Sequence, residues 1–178
     1  MTARIHTFDI DLSDADRNVY ATVALRVARH PSETEEYLVT RVLAYCLEFA
    51  DGVTFSKGLA EPDEPALAVR DLTGAMRVWI DIGAPDAARM HRAGKSAARV
   101  VVYTHKDPRT VMRQWAGERI HRAADLELYH VDDALLSALV ARLERRMAFA
   151  LAVSGGQLYV TLGGQLLEGA VTRHALPA

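Results

Sequence analysis

The stretch "RVWIDIGAPDAARMHRAGKSAARVVVYTH", from Arg77 to His105, constrains the fold more than any other part of the chain. It reads as an apolar strand, a Gly-Ala-Pro break, a basic helix and a second apolar strand. The second strand, "RVVVYTH", is apolar without alternation, the mark of a central strand covered on both faces. Pro85 suits the first turn of the intervening helix. The first strand carries a carboxylate, Asp81, between Ile80 and Ile82. A charge in an otherwise buried strand needs a compensating partner. Arg89, Arg92 and Lys95 follow along the helix as one stripe at i, i+3 spacing.

The flanking segments extend this unit. Phe8, Ile10 and Leu12 alternate with Asp9 and Asp11. After the turn cluster "SDADRN", residues from Val19 to Val27 repeat at period two, which predicts a β-hairpin with one buried face. "HPSETEEYLVTRVLAYCLEFADG" predicts a helix. Ser32 and Glu35 have capping-box spacing, and Leu38, Val42, Tyr45, Cys46 and Phe49 form its stripe. "VTFSKGL" predicts a short strand, and "EPDEPALAVRDLTGAMRVWIDIG" two strands around a turn at Asp71–Gly74. "DPRTVMRQWAGERI" predicts a helix, "LELYHV" a strand, and "DDALLSALVARLERRM" a helix with an acidic start and a basic end. "SGGQ" and "LGGQ" punctuate a C-terminal β-meander from Met147 to about Arg173. The expected fold is α/β: a mixed β-sheet flanked by helices, with β-hairpin additions at both ends. A length of 178 residues fits one domain over residues 1–178.

Composition narrows the function classes. The net charge is -2, which weighs against tight non-specific nucleic-acid binding by the whole molecule but leaves room for a local basic patch. One cysteine, Cys46, excludes an internal disulfide framework and a cysteine metal cluster. No leader and no run of about 20 apolar residues is present, so a cytoplasmic protein without a membrane span is expected. His91, His105, His121 and His130 show no metal-binding spacing. No GxGxxG or GxxxxGK[ST] occurs. Trp79 and Trp115 are expected to pack against the sheet, and Cys46 to act as a small buried hydrophobe.

Strand pairing suggests one candidate site. Pairing Arg70 with Arg77 across the turn sets Ala66 opposite Asp81 and Glu64 opposite Gly83. Glu64 and Asp81 then share a face as diagonal neighbours, within roughly 7–8 Å. Two carboxylates so placed repel each other unless a cation compensates.

The same residues carry a resemblance. "RHPSETEEYLVTRVLAYCLEFADGVTFSKGLAEPDEPALAVRD" followed by "VWIDIGAPDAARMHRA" strongly resembles the bacterial YaeQ family, over almost the whole chain. That resemblance implies a restriction-endonuclease-like αβββαβ core of the PD-(D/E)xK nuclease superfamily, here residues 32–104. It implies a metal-dependent phosphodiesterase acting on nucleic acid. Glu64 and Asp81 would hold Mg²⁺ or Mn²⁺, with Glu33 or Glu36 assisting from the first helix. Arg92, as the favoured phosphate clamp, or Lys95 as the alternative would supply the catalytic cation, with Arg89 as a further binding residue. One departure stands out: the x-K position after Asp81 is Gly83. The alternative is a non-catalytic module, binding nucleic acid or protein on a degenerate nuclease scaffold.

Overall fold

The computed structural model describes residues 3–56 and 63–176. They divide into two compact units. One comprises the residues up to Val39 together with Val131–Thr172; the other comprises Thr40–His130 and the residues after Thr172.

In the first unit the expected hairpin is β1 (Arg4–Asp14) and β2 (Val19–Arg29), antiparallel, with Phe8 opposite Leu25 and Ile10 opposite Val23. Alternation puts these four on one buried face with Leu12 and Val27. The helix predicted from Ser32 is α1 (Glu35–Leu47). Its cap is Thr34, whose Oγ1 accepts from the Tyr37 N–H, and Ser32 does not cap it. The reason lies one turn earlier. Glu33 N–H donates to the His30 carbonyl, and the Glu33 carboxylate accepts from His30 N–H, so residues 30–33 are held as a turn and the helix starts later.

The helix α4 (Asp133–Ala141) is capped by Asp132. It stops at Ala141, short of the "RLERRM" expected to end it. The Arg142 guanidinium folds back onto the Ala138 carbonyl. From Arg146 the chain alternates instead, burying Met147, Phe149, Leu151 and Val153 in β8 (Arg146–Ser154). β8 runs parallel to β1, and β9 (Gln157–Leu162) and β10 (Gln165–His174) complete the expected meander.

The second unit holds the strand–helix–strand unit of the opening. Its sheet runs β3 (Val53–Phe55), β4 (Leu67–Arg70), β5 (Met76–Ile82), β6 (Arg99–Thr104), β7 (Glu127–Val131). The first three strands are antiparallel, and β5, β6 and β7 are parallel. β6 is central, as its unbroken apolar run requires. The end of the predicted strand "VTFSKGL" lies outside the described residues. In the β4–β5 pair, Leu67 faces Ile80 and Val69 faces Val78, the expected register. A bulge after Val69 then pairs Arg70 with Met76, so the Arg70–Arg77 pair does not form. The bulge is fixed by the turn: the Asp71 carboxylate accepts from the N–H groups of Thr73 and Ala75.

Two helices cover one face of this sheet. α2 (Ala87–Ser96) is capped by Asp86, one residue after Pro85, and α3 (Pro108–Trp115) by Asp107. Met90 and Ala93 of α2, with Val111 and Trp115 of α3, pack on Trp79, Val100, Val102 and Leu128. Trp115 Nε1 donates to the Pro85 carbonyl at 2.8 Å, tying α3 to the entry of α2. Cys46 is buried on α1. Among the described residues no helix is long and apolar enough to cross a membrane.

Candidate functional site at the carboxyl end of β5

Asp81 stands two residues after Trp79, so period two aims it at the same face, the one α2 covers. Its side chain is 3% exposed. The Asp86 cap accepts from Arg89 N–H at 2.8 Å and starts α2 so that Arg89 falls in its first turn, beside Asp81. Arg89 meets Asp81 with both prongs. Nε donates to Oδ2 at 2.6 Å and Nη2 to Oδ1 at 2.9 Å. Ala66 N–H also donates to Oδ1, at 3.1 Å, as the β4–β5 register requires. Arg89 Nη2 reaches the Glu64 carbonyl as well, at 2.5 Å, and the guanidinium lies 5.3 Å from the Trp79 ring centre. Asp81, Arg89 and Glu64 therefore come together, and Glu64 joins through its main-chain carbonyl.

Arg92 is half exposed, with Nε 3.7 Å from the carboxylate of exposed Asp63. Such a surface pair is worth little. Lys95 is exposed in the last turn of α2. Glu33 is buried in the turn before α1, and Glu36 is exposed in the first turn of α1; both belong to the other unit. Gly83 follows Asp81 with φ 85°, and its N–H donates to the Tyr103 carbonyl. A lysine there would sit in the left-handed region that L side chains avoid. The missing x-K lysine thus has a backbone cause.

The resemblance implies a divalent cation on Glu64 and Asp81. Among the described residues no group of three or more His, Cys, Asp and Glu could hold a metal ion. The Asp81 carboxylate accepts three hydrogen bonds, and two come from a guanidinium that already neutralises it. A divalent ion would have to expel Arg89 and meet its charge at close range. The arrangement does not fit a resident cation.

A second charged cluster lies on the opposite face of the same sheet, and the sequence reading missed it. Arg99 donates to Glu48 at 2.5 Å and to Glu127 at 2.6 Å. Tyr103 donates to Glu48, Tyr129 donates to Glu127, and the two tyrosine rings stack at 5.2 Å. Burial opposes the Arg99 charge, yet the bonds to Glu127 and Glu48 hold it protonated, above the ordinary arginine range. Burial, and then the Glu48 charge, push the Tyr103 phenol well up. Every polar group is matched here, so the cluster clamps the end of α1 to β6 and β7. Its sequence signal was the period-two placing of Arg99 with Tyr103 and of Glu127 with Tyr129.

The α2–α3 layer is the basic part of the chain. Residues 86–122 hold nine Arg and Lys against three Asp and Glu in a chain of net -2, and three of the nine, Arg89, Arg99 and Arg122, are bonded to groups of the fold. Arg92 and Lys95 on α2, Lys106 just before α3, Arg109 and Arg113 on α3, and Arg119 beyond it are all exposed. Arg122 instead turns inward. From a left-handed backbone (φ 52°) it donates to the Gly94 and Ala97 carbonyls, capping the negative end of α2.

Comparison with known proteins gives a consistent picture. The family model described as YaeQ protein matches residues 1–171. The uncharacterized protein YaeQ of Escherichia coli (strain K12) is 30% identical over all of this chain and 99% of its own length. That of Salmonella typhi is 28% identical over the same shares. The crystal structure of the YaeQ protein from Xanthomonas axonopodis pv. citri superposes with a TM-score of 0.88 at 32% identity, covering 99% of this chain and 100% of that one. The YaeQ protein from Pseudomonas syringae gives 0.88 at 27% identity, covering 98% and 97%.

Proposed function

The chain belongs to the YaeQ family, and from that premise we propose that it is a nucleic-acid-binding module without metal-dependent turnover, built on a nuclease-like scaffold. One observation carries the reading: the Asp81 carboxylate, which a nuclease would give to a metal, is spent on Arg89. The helix–three strands–helix–strand order from α1 to β6 supports the scaffold half of the proposal. The six exposed cations Arg92, Lys95, Lys106, Arg109, Arg113 and Arg119 support the ligand half. Exposed arginines and lysines on α2 and α3 neutralise backbone phosphates and release counterions, which binds nucleic acid with little sequence preference. Arg89 is not part of this contact surface. Its work is to cancel Asp81, so that no negative charge underlies the basic helices.

The test is fluorescence anisotropy of labelled single-stranded DNA, duplex DNA and RNA, in EDTA, across a salt series. Binding is expected at low salt and should fall log-linearly as salt rises. Arg92→Glu and Arg113→Glu should each weaken binding several-fold, and each lost phosphate contact should lower the slope by about 1. Absence of binding at low salt, or binding indifferent to both variants, would reject the reading.

A further inference from the structure

At the open end of the β1–β2 hairpin the charges of three arginines act on a buried histidine. Arg4 and Arg29 are directly opposite one another on β1 and β2. Opposed residues share a face, and like charges so placed repel. His6 is the next residue of that face along β1. Its side chain is buried, with the residue 4% exposed, and its ring stacks on Phe8 at 6.3 Å between centroids. Nδ1 lies 3.3 Å from the Glu144 carbonyl, so Nδ1 carries the hydrogen. Nε2, at the other edge of the ring, is buried and has no hydrogen-bond partner among the described residues. Arg145 is anchored beside this end of β1, where its carbonyl accepts from Thr7 N–H, and its charge acts on His6 together with those of Arg29 and Arg4.

A buried polar atom with no partner is destabilising, and a cross-strand arginine pair adds to that cost. One kind of ligand relieves both. We infer that Arg4, Arg29, Arg145 and His6 form a proton-coupled site for a small oxyanion of the phosphate or sulfate type. The anion sits among the guanidinium groups and accepts from Nε2–H of a His6 that has taken a proton from solvent. Arg4 and Arg145 are exposed, and Arg29 is half-buried and donates to the Glu33 carbonyl, which anchors it. Long arginine stems can part to admit an ion without moving the strands.

The electrostatics set the sign. Burial first, and then the charges of Arg29, Arg145 and Arg4, lower the His6 pKa; the Glu144 carbonyl is the group that raises it. A bound anion opposes the cationic charges, so it raises the titration midpoint. By reciprocity, lowering the pH through that range strengthens anion binding.

Sulfate is the probe, because its charge is constant over the histidine range. The titration midpoint of His6 is followed by NMR of histidine-labelled protein, in sulfate and in chloride at equal ionic strength. Sulfate should raise the midpoint by about one unit, and sulfate should bind about tenfold more tightly in the protonated state. Arg4→Gln and Arg145→Gln remove exposed side chains and leave the sheet intact, so they read the site even if His6→Gln does not fold. The double variant should abolish the sulfate effect. An unchanged midpoint in sulfate, or an equal rise in the double variant, would overturn the site, the latter marking a general salt effect.

Discussion

At Asp81 the two partners of a buried pair depend on each other. Asp81 is 3% exposed and Arg89 21%, so removing either leaves the other charge in a poorly solvated place. Asp81→Leu or Arg89→Met alone should cost about 3–5 kcal/mol in urea unfolding, whereas the double variant should recover most of that loss. Equal and additive losses would mean that the pair is not coupled. Gly83 makes a second residue-scale prediction. Gly83→Lys restores the lysine of a nuclease motif, but at φ 85° it should destabilise by about 1–3 kcal/mol without creating cleavage activity. Asp81 was legible in the sequence as a charge needing a partner, and Arg89 as one of three cations on its helix. The sequence could not choose among the three, because the choice depends on where α2 begins. Asp86, not Pro85, sets that start.

The elements follow local chemistry closely where periodicity is strong and depart from it where side chains intervene. The hairpin, the β4–β5 register over Leu67–Val69 and the central place of β6 were all readable from alternation or its absence. The start of α1, the end of α4 and the bulge at Arg70 were not, because Glu33, Arg142 and Asp71 each bond the backbone in ways that periodicity does not report. The packing of α2 carries its own prediction. A Cβ on Gly94 would lie 2.5 Å from the His121 carbonyl oxygen. In an open helix Gly→Ala gains up to about 1 kcal/mol, yet the clash with fixed backbone costs about 1–3 kcal/mol. Gly94→Ala should therefore lower stability, as a thermal melt would show; a raised Tm would mean that the 121 loop is free to retreat. The cluster of Glu48, Arg99 and Glu127 predicts a pH response. Burial alone would raise the Glu127 pKa, but the Arg99 bonds and charge override it, and the group lies below its ordinary value. A depressed folded pKa contributes stability fully above the unfolded value of about 4.3, and that stability is lost as pH falls through the folded value. Glu127→Gln should flatten this acid limb of the stability profile, and an unchanged limb would place the titrating group elsewhere.

On the scale of the whole molecule, a mildly acidic chain concentrates its cations in the α2–α3 layer, and the overall charge hid this from a composition reading. Strand alternation singled out Asp81, and the resemblance implied a metal on it with Glu64, but neither could say that the acid at the end of β5 is already paired. That pairing separates a binding module from a nuclease, and it can be measured directly as Mn²⁺ binding to the metal-free protein by isothermal titration calorimetry. No stoichiometric Mn²⁺ site is expected in the wild-type chain. A single Mn²⁺ bound at one equivalent, and lost in Asp81→Ala, would contradict it, because Arg89 would then have yielded Asp81 to the metal.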